Sequence, residues 1–204
     1  MSMPDLHRRA VVEALMKDAG DDLLVIAGLG QSAWDITAAG DRPQNLPLWG
    51  GMGGAAMIGL GLALAQPRKR VLVITGDGEM LMGLGSLATI AAQRPANLVL
   101  VVLDNEKFGE TGNQATHTAP ATGGMSERGA GTDLAAVVRG CGIADSATIT
   151  QAAEIAALAR DARDKPGPIF RVAKVKVEDL PAAIPPKDGA YLKDRFRQVV
   201  LGAT

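Results

Sequence analysis

The sequence contains only one cysteine, and its positive and negative charges balance. Cys141 is the single cysteine among 204 residues, so a framework of disulfides within the chain is excluded. Such low cysteine usage is typical of a reducing compartment, and we expect the protein in the cytoplasm. The 21 Lys and Arg face 22 Asp and Glu, without a basic cluster, and leave a net charge of −1. This balance argues against a nucleic-acid-binding surface.

Long apolar runs are also missing from the sequence. The longest run, from Ala55 to Ala65, is about half of the ~20 residues that a membrane-spanning helix needs. The residues from Met1 to Arg9 lack the apolar stretch of a secretory signal peptide. We therefore expect neither a membrane segment nor a signal peptide.

Strand-like and helix-like patterns alternate along the chain, and its 47% hydrophobic content is enough for the core of one domain. Strands are predicted at 23–27, 71–75, 98–103 and 168–177, and helices at 6–18, 32–37, 85–93, 133–140, 151–163 and 191–200. A long loop is predicted over 105–132. The alternation predicts an α/β fold, a single doubly wound parallel-sheet domain over 1–204 with helices on both faces. Residues 181–204 would form its C-terminal tail and helix.

Two polar segments follow two of the predicted strands. Gly76-Asp77-Gly78-Glu79 comes after the strand at 71–75, and Asp104-Asn105-Glu106-Lys107 comes after the strand at 98–103. Both should lie at the carboxyl edge of a parallel sheet, where open α/β folds bind ligands. A carboxylate at Asp77 and an amide oxygen at Asn105 suit Mg²⁺ when a phosphate supplies further ligands. The glycines would let the backbone approach that phosphate.

The spacing of these segments resembles the signature of thiamine-diphosphate-dependent enzymes. In that family a Gly-Asp-Gly triplet is followed, somewhat under thirty residues later, by an Asn that often has another polar residue before it. Here Asn105 follows Asp77 by 28 residues (105 − 77 = 28), and Asp104 stands where many members carry a first Asn. The resemblance implies thiamine diphosphate and Mg²⁺ as cofactors, with Asp77, Asn105 and the carbonyl of Lys107 as metal ligands. Without the resemblance, Asp77 would be a turn aspartate and Asn105 an Asx-type loop residue.

The glycine-rich segment from Leu46 to Ala65 resembles the loop and small-residue helix that precede the triplet in decarboxylases of this family. By that resemblance, Met52 matches the apolar residue that wedges the cofactor into its bent conformation. Gly50 would offer its carbonyl to the aminopyrimidine, and Gly76, Gly78 and the amide of Glu79 would border the diphosphate. In the simpler alternative, the glycines only let a helix pack against the sheet, and Met52 is part of the core.

The resemblance covers nearly all of the chain, yet it covers only the diphosphate-binding domain. Members of the family activate the cofactor through a glutamate on a separate pyrimidine-binding domain, for which no residues remain here. This chain has the layout of half such an enzyme. It resembles the β subunits of sulfopyruvate decarboxylases and the matching half of phosphonopyruvate decarboxylases. The resemblance thus implies an α subunit that carries the catalytic Glu, and an α₂β₂ or larger assembly that decarboxylates a 2-oxo acid. Carboligation, as in acetolactate synthases, and a non-catalytic regulatory subunit remain alternatives.

The loop after Asn105 should cover the reacting end of the cofactor. Its candidate catalytic residues are Glu110, Thr111 and His117. Histidine titrates near neutral pH, which suits proton transfer, although a loop histidine is more often only solvated. Glu110 could equally be a surface charge.

One further pattern, Gly28-x-Gly30-x-x-Ala33 after the strand at 23–27, has the outline of a dinucleotide-binding turn. A nicotinamide site also needs an acidic residue at the end of the next strand. The region from Leu46 to Gly50 has none. We therefore interpret these glycines as a tight turn between a strand and a helix.

Overall fold

The computed structural model describes residues 5–120 and 131–202, in which a six-stranded parallel sheet carries helices on both sides. The strands of this sheet are β1 (Leu23–Ala27), β2 (Asn45–Pro47), β3 (Arg70–Gly76), β4 (Leu98–Asp104), β7 (Ser146–Ile149) and β8 (Ile169–Lys174). A separate antiparallel hairpin consists of β5 (Lys107–Phe108) and β6 (Gln114–Ala115). The helices are α1 (Arg8–Met16), α2 (Gln31–Ala38), α3 (Ala55–Ala65), α4 (Asp77–Met82), α5 (Gly85–Gln93), α6 (Leu134–Gly140), α7 (Ile155–Asp164) and α8 (Gly189–Leu201).

The strand order of the sheet is β2-β1-β3-β4-β8-β7. β1 and β3 are neighbours, with Ala27 opposite Ile74, but the chain continues from β1 to β2 on one side and from β3 to β4 on the other. This divergence is a topological switch point, which opens a crevice at the carboxyl ends of β1 and β3. The predicted doubly wound parallel sheet is confirmed.

Side chains of the central strands alternate between two hydrophobic cores, as the pleat requires. In β3, Val71 and Val73 pack with α3, α5, α6 and α8, whereas Leu72 and Ile74 pack with α1, α2 and α7. Because both faces are covered, β4 is buried along its whole length. This explains its uninterrupted apolar sequence.

The predicted helices and strands are present, with shifts at several ends. The first helix begins at Arg8 instead of residue 6, because Leu6 forms a bridge beside Val175. The helix predicted over 151–163 begins with a 3₁₀ turn at Ala152–Glu154, and α7 follows from Ile155. Short elements that were not predicted are β2, β7 and the β5–β6 hairpin; the hairpin lies within the predicted loop at 105–132. Part of that loop, 121–130, falls outside the described residues.

The C-terminal segment returns to the β2 side of the sheet. Trp49 donates a hydrogen bond from Nε1 to the carbonyl of Pro186 at 2.8 Å. In α8, Phe196 enters the core, and Arg195 contacts both carboxylate oxygens of Asp41 at 2.6 and 2.9 Å. These contacts place the tail beside the segment that leads to Met52.

Across residues 5–120 and 131–202, no helix is long and apolar enough to cross a membrane. The most apolar one, α3, has 11 residues.

Candidate functional site

A cavity lies at the topological switch point. Its walls come from the turn after β1, from the Met52 loop, from the ends of β3 and β4, and from the β5–β6 hairpin. The lining residues are Arg8, Leu29, Gly30, Gln31, Ser32, Met52, Gly76, Asp77, Gly78, Glu79, Leu103, Asn105, Lys107, Phe108, Gly109, Glu110, Thr111 and Val175. The two polar segments after β3 and β4 therefore meet at one edge, as predicted, because Gly76 pairs with Leu103 in adjacent strands.

Most of the candidate site residues are brought together by this cavity. Nine of them line it: Met52, Gly76, Asp77, Gly78, Glu79, Asn105, Lys107, Glu110 and Thr111. The other two, Gly50 and His117, are exposed and lie outside the lining. For His117 the reason is local, since its neighbours Thr116 and Thr118 are both buried and reach Asp77.

Asp77 is a buried carboxylate at the first position of α4, with 1% of its surface exposed. Its Oδ2 accepts hydrogen bonds from the hydroxyls of Thr116 and Thr118, the latter at 2.9 Å. Burial and the nearby Asp104 carboxylate raise the pKa of Asp77 to about 6, although both hydroxyls oppose this shift. No ion pair involves Asp77 within the described ranges. A cation beside its carboxylate would therefore be stabilising.

The neighbouring Asp104 already has its own cation. Lys174 lies 3.0 Å from Asp104 Oδ2 and 2.5 Å from Glu106 Oε1. Burial on its own would lower the pKa of Lys174, but the contacts with Glu106 and Asp104 raise it, so the ammonium stays charged. Lys174 thus pairs with both Asp104 and Glu106, whereas Asp77 has no ion-pair partner among the described residues.

Asn105 forms a tight turn beside Asp77. Its Oδ1 accepts a hydrogen bond from the Lys107 amide at 3.0 Å, and its Nδ2 donates to Gln31 Oε1 at 3.3 Å. Glu106, between them, has a left-handed backbone with φ of 61°. The Asx-type loop alternative is therefore correct as a description of the local geometry. It does not exclude metal binding, because an amide oxygen has a second lone pair.

The donors around Asp77 fit Mg²⁺ better than a transition metal. Asp77, Asn105 and the Lys107 carbonyl are all oxygen donors, and Mg²⁺ prefers few protein oxygens together with phosphate and water. The described part of the chain has no group of three or more His, Cys, Asp or Glu side chains that could hold a metal ion. A buried carboxylate without a counter-ion completes this agreement.

The Met52 loop needs glycine on both sides of Met52. Gly51 and Gly53 have φ of 71° and 91°, which side chains rarely adopt. A Cβ at Gly83 would lie 2.5 Å from the Gly53 carbonyl oxygen, so the end of α4 holds the loop backbone closely. Met52 is half-buried, lines the cavity and belongs to neither core, so the alternative of an ordinary core methionine is wrong.

The packing alternative for the glycines does hold further along the same segment. At Gly59 in α3, a Cβ would lie 2.2 Å from Val73 Cγ2. This glycine lets the helix approach β3 closely, as the simpler alternative proposed. The glycines of this segment therefore have two roles. Gly51 and Gly53 allow the backbone conformation of the loop, and Gly59 allows α3 to pack closely on β3.

The side chain of Glu79 joins three parts of the site, a role that the sequence did not indicate. It is 5% exposed, and its Oε1 accepts a long hydrogen bond from the Ala55 amide at 3.4 Å. Its Oε2 has no hydrogen-bond partner and lies against Gly28, where a Cβ would come within 1.9 Å. Burial raises the pKa of Glu79. This carboxyl links α4 to the start of α3 and to the turn after β1.

The turn after β1 connects a strand to a helix, as its glycine pattern predicts, and it also lines the cavity. Gly30, with φ of 73°, precedes α2, and Gln31 and Ser32 form the first turn of that helix beside the cavity. The glycine pattern was therefore a signal for the site, even without a nicotinamide fingerprint. β2 ends at Pro47 without the acidic residue that such a fingerprint requires.

The hairpin folds over this turn. The backbone of Gly109 approaches Gln31 so closely that a Cβ would lie 2.7 Å from Gln31 Nε2. The side chain of Glu110 packs on Gly30, where a Cβ would lie 2.9 Å from Cδ. Thr111 donates from Oγ1 to Gln114 Oε1 at 2.7 Å, which holds the hairpin tip together. Two of the catalytic candidates, Glu110 and Thr111, therefore border the cavity entrance.

Fold and site together define a class of protein: an open α/β domain with a ligand cavity at the topological switch point of its sheet. The family model described as "Thiamine pyrophosphate enzyme, C-terminal TPP binding domain" matches residues 29–172. The chain belongs to this family, and the resemblance noted in the sequence is confirmed.

Relatives of known name support this assignment. The sulfopyruvate decarboxylase subunit beta of Methanothermobacter thermautotrophicus is 37% identical over 200 residues, which cover 95% of this chain and 96% of that protein. The phosphonopyruvate decarboxylase of Streptomyces viridochromogenes is 41% identical over 135 residues, 66% of this chain but only 31% of that protein. The chain therefore matches a whole subunit in one case and a third of a longer chain in the other.

Solved structures agree on the fold. A putative thiamin diphosphate-dependent enzyme from Mycobacterium smegmatis superposes with a TM-score of 0.67 at 21% identity, over 85% of this chain and 32% of that chain. The 2-oxoglutarate:ferredoxin oxidoreductase of Magnetococcus marinus gives a TM-score of 0.65 at 19% identity, over 94% and 74%. At such identities the likeness concerns the fold alone.

Proposed function

We propose that this chain is the cofactor-anchoring subunit of a split, thiamine-diphosphate- and Mg²⁺-dependent decarboxylase that converts sulfopyruvate to sulfoacetaldehyde and CO₂. A thiamine-diphosphate-dependent decarboxylase is the activity that the family and its relatives support. The observation that favours the split form is the 37% identity to a beta subunit along nearly the full length of both chains.

Each wall of the cavity has a separate task in this proposal. Asp77, Asn105 and the Lys107 carbonyl would hold Mg²⁺, and the amides of Gly78 and Glu79 would contact the diphosphate, with Gly76 allowing its close approach. Met52 would support the bent cofactor, and Gly50 would accept a hydrogen bond from its aminopyrimidine. When bound, the cofactor supplies the electron sink for loss of the carboxylate.

The residues of the hairpin are the proposed contacts of this chain with the substrate. Glu110 and Thr111 line the cavity at its entrance, where a 2-oxo acid would approach the cofactor. His117 is exposed and outside the lining, so it is not among these proposed contacts. Lys107 is the one lysine among the lining residues and would attract an anionic substrate.

The surface of α3 supports a partner subunit. All 11 residues of α3 are apolar or glycine, and such helices are normally buried on every side. Yet Met57, Ile58 and Leu64 are 42%, 40% and 50% exposed, and Trp49 and Met82 are also exposed. Met57 and Ile58 lie in the first turn of α3, and Met82 lies beside the Met52 loop, since a Cβ at Gly53 would be 3.2 Å from Met82 Cβ. We propose that an α subunit with the pyrimidine-binding domain and the catalytic Glu covers these exposed apolar residues, in an α₂β₂ or larger assembly.

The test is CO₂ release from a panel of 2-oxo acids by the two chains, alone and together. The panel contains sulfopyruvate, phosphonopyruvate and pyruvate, each with and without thiamine diphosphate and Mg²⁺. We expect release from sulfopyruvate only when both chains and both cofactors are present. Turnover by this chain alone would contradict the split site, and a preference for another acid would reassign the substrate.

A second candidate substrate is phosphonopyruvate, which would yield phosphonoacetaldehyde. The observation in its favour is the 41% identity to the Streptomyces enzyme within the cofactor-binding region. Carboligation is less supported, since the acetolactate synthase of Escherichia coli is 29% identical over 51% of this chain. A non-catalytic subunit would need no intact cofactor site, whereas Asp77 and Asn105 are both present at the cavity. The same panel separates the two acids and tests for turnover, and identification of the product as an aldehyde or an acyloin separates decarboxylation from carboligation, since both release CO₂.

A further inference from the structure

Arg8, at the first position of α1, is a buried cation at the cavity for which the proposed function has no use. It is 2% exposed and lines the cavity together with Gln31 and Ser32. A buried guanidinium is costly unless its donors are satisfied. The partners of each nitrogen therefore indicate whether all the hydrogen-bond donors of Arg8 find acceptors within the chain.

Part of Arg8 is satisfied by a buried ion pair. Its Nη1 lies 2.8 and 2.7 Å from the two carboxylate oxygens of Asp35, which is 1% exposed. Arg9 also contacts Asp35, from Nε to Oδ1 at 3.2 Å. Two arginines thus share a single carboxylate, since the nearby Glu178 accepts a hydrogen bond from the backbone amide of Arg8 at 3.3 Å and not from its guanidinium.

The other two nitrogens of Arg8 have no hydrogen-bond partner among residues 5–120 and 131–202. Nε is fully buried, whereas Nη2 keeps some accessible surface. A purely structural ion pair between α1 and α2 would account only for the contacts of Nη1. A guanidinium that lines the cavity with unused donors instead fits an anion that enters the cavity.

The position of Arg8 indicates which part of an anion it would meet. Nη1 approaches the Gln31 carbonyl at 3.5 Å, so the guanidinium lies at the first turn of α2. The positive end of the α2 dipole and the arginine therefore act in the same place. Because Arg8 is almost fully buried, it can contact only a ligand that is taken deep into the cavity that Asp77 and Asn105 also line.

We propose that Arg8 binds the terminal phosphate of the cofactor diphosphate, with Asp35 holding the guanidinium in place. This inference rests on the proposed function. The same chemistry could serve the anionic head of the substrate, but the substrate reacts at the thiazolium end, and the diphosphate is the part that Mg²⁺ draws towards Asp77. Arg8 is then a cofactor-binding residue, contributed by a helix far from the glycine motifs.

The test is titration calorimetry of the full chain with Mg²⁺ and one of three probes: thiamine diphosphate, inorganic pyrophosphate or thiamine monophosphate. In Arg8→Met we expect at least about a tenfold loss of affinity for the first two probes and little change for thiamine monophosphate. Asp35→Asn removes the carboxylate charge but keeps an amide oxygen that can accept from Arg8 Nη1, so the guanidinium stays in place and affinity should stay within about threefold of the wild type. Equal losses in both variants would show a structural role and overturn the inference.

Arg8→Met alone can lose stability, so the double variant Arg8→Met/Asp35→Leu provides a folded comparison in which the ion pair is replaced by apolar groups. Wild-type pyrophosphate affinity in this variant would contradict the inference. An unchanged pyrophosphate affinity with a raised KM for the 2-oxo acid in the complete enzyme would assign Arg8 to the substrate instead. If the wild-type chain binds neither pyrophosphate nor thiamine diphosphate, the proposed function itself fails, and this inference fails with it.

Discussion

The two long walls of the cavity are built differently. The β3–β4 wall, with Asp77 and Asn105, comes from two short segments at the ends of adjacent strands. The β1 wall, with Gly30, Gln31 and Arg8, combines a glycine turn with a helix that precedes it by some twenty residues. One wall holds a carboxylate without a counter-ion, and the other holds an arginine with unused donors. In the proposed function, both walls would therefore hold the diphosphate. The β3–β4 wall would bind it through Mg²⁺, and the β1 wall would bind it directly through Arg8.

The largest expected effect concerns the β3–β4 wall. Replacing Asp77 by Ala should lower Mg²⁺-dependent affinity for thiamine diphosphate by at least about a hundredfold, because the charged metal ligand is lost. Titration calorimetry of the purified chain measures this change. The unfolding free energy of the ligand-free chain should instead increase in Asp77→Asn. This variant removes a carboxylate whose raised pKa costs up to about 3 kcal/mol at pH 8. Unchanged affinity in Asp77→Ala would refute the metal assignment.

The next effect concerns the partner surface beside both walls. Ile58→Glu places a charge among the exposed apolar residues of α3 and should weaken association with the α subunit at least about tenfold. Leu201→Glu, at an exposed apolar residue of α8, is the matched control and should leave association unchanged. Sedimentation of the mixed chains reports the result. Equal behaviour of the two variants would remove α3 from the interface.

A third change tests how the walls contact one another. In Gly28→Ala the new Cβ would lie within 1.9 Å of Glu79 Oε2, so we expect a loss of about 1–3 kcal/mol in unfolding free energy. Gly61→Ala in α3 meets nothing within 4 Å and should be neutral or slightly stabilising. Chemical denaturation compares the two. Adding Glu79→Ala should recover part of the loss at Gly28; no recovery would mean that the two residues do not touch.

The smallest effect is a pH dependence of the β3–β4 wall. Burial and Asp104 raise the pKa of Asp77 to about 6, so protons compete with Mg²⁺ below that pH. Magnesium affinity should fall by up to about tenfold per pH unit below 6 and become constant above about pH 7. The sign for ligand-free stability is opposite. The folded state binds the proton more tightly than the unfolded state, so the unfolding free energy decreases as pH rises from ~4 to ~6. A magnesium affinity that is flat between pH 5 and 7 would contradict this pKa.

The β3–β4 wall could be predicted from sequence because its residues directly follow their strands in the chain. An apolar run followed by a polar segment fixes a strand end, and two such ends in neighbouring parallel strands must meet. The β1 wall could not, because Arg8 meets Gln31 and Asp35 only through the packing of α1 on α2. A single glycine turn also occurs in many folds, so its presence alone does not indicate a site.

The unpredicted elements are those with the least sequence signal. β5 and β6 have two residues each, too few for a period of two to be visible. β2 has three residues and ends in Pro47, which is normally unfavourable within a strand. Such elements are determined by their neighbours in the sheet or hairpin. Thr116 and Thr118 were not recognised as partners of Asp77 for the same reason, since a hairpin brings them there.

The most direct test of the account is a crystal structure of the chain with Mg²⁺ and thiamine diphosphate. We expect the metal about 2.1 Å from a carboxylate oxygen of Asp77, from Asn105 Oδ1 and from the Lys107 carbonyl, with diphosphate oxygens completing the octahedron. Met52 should contact the cofactor between its two rings. A metal bound elsewhere, or thiamine diphosphate outside the cavity between β1 and β3, would contradict the central claim.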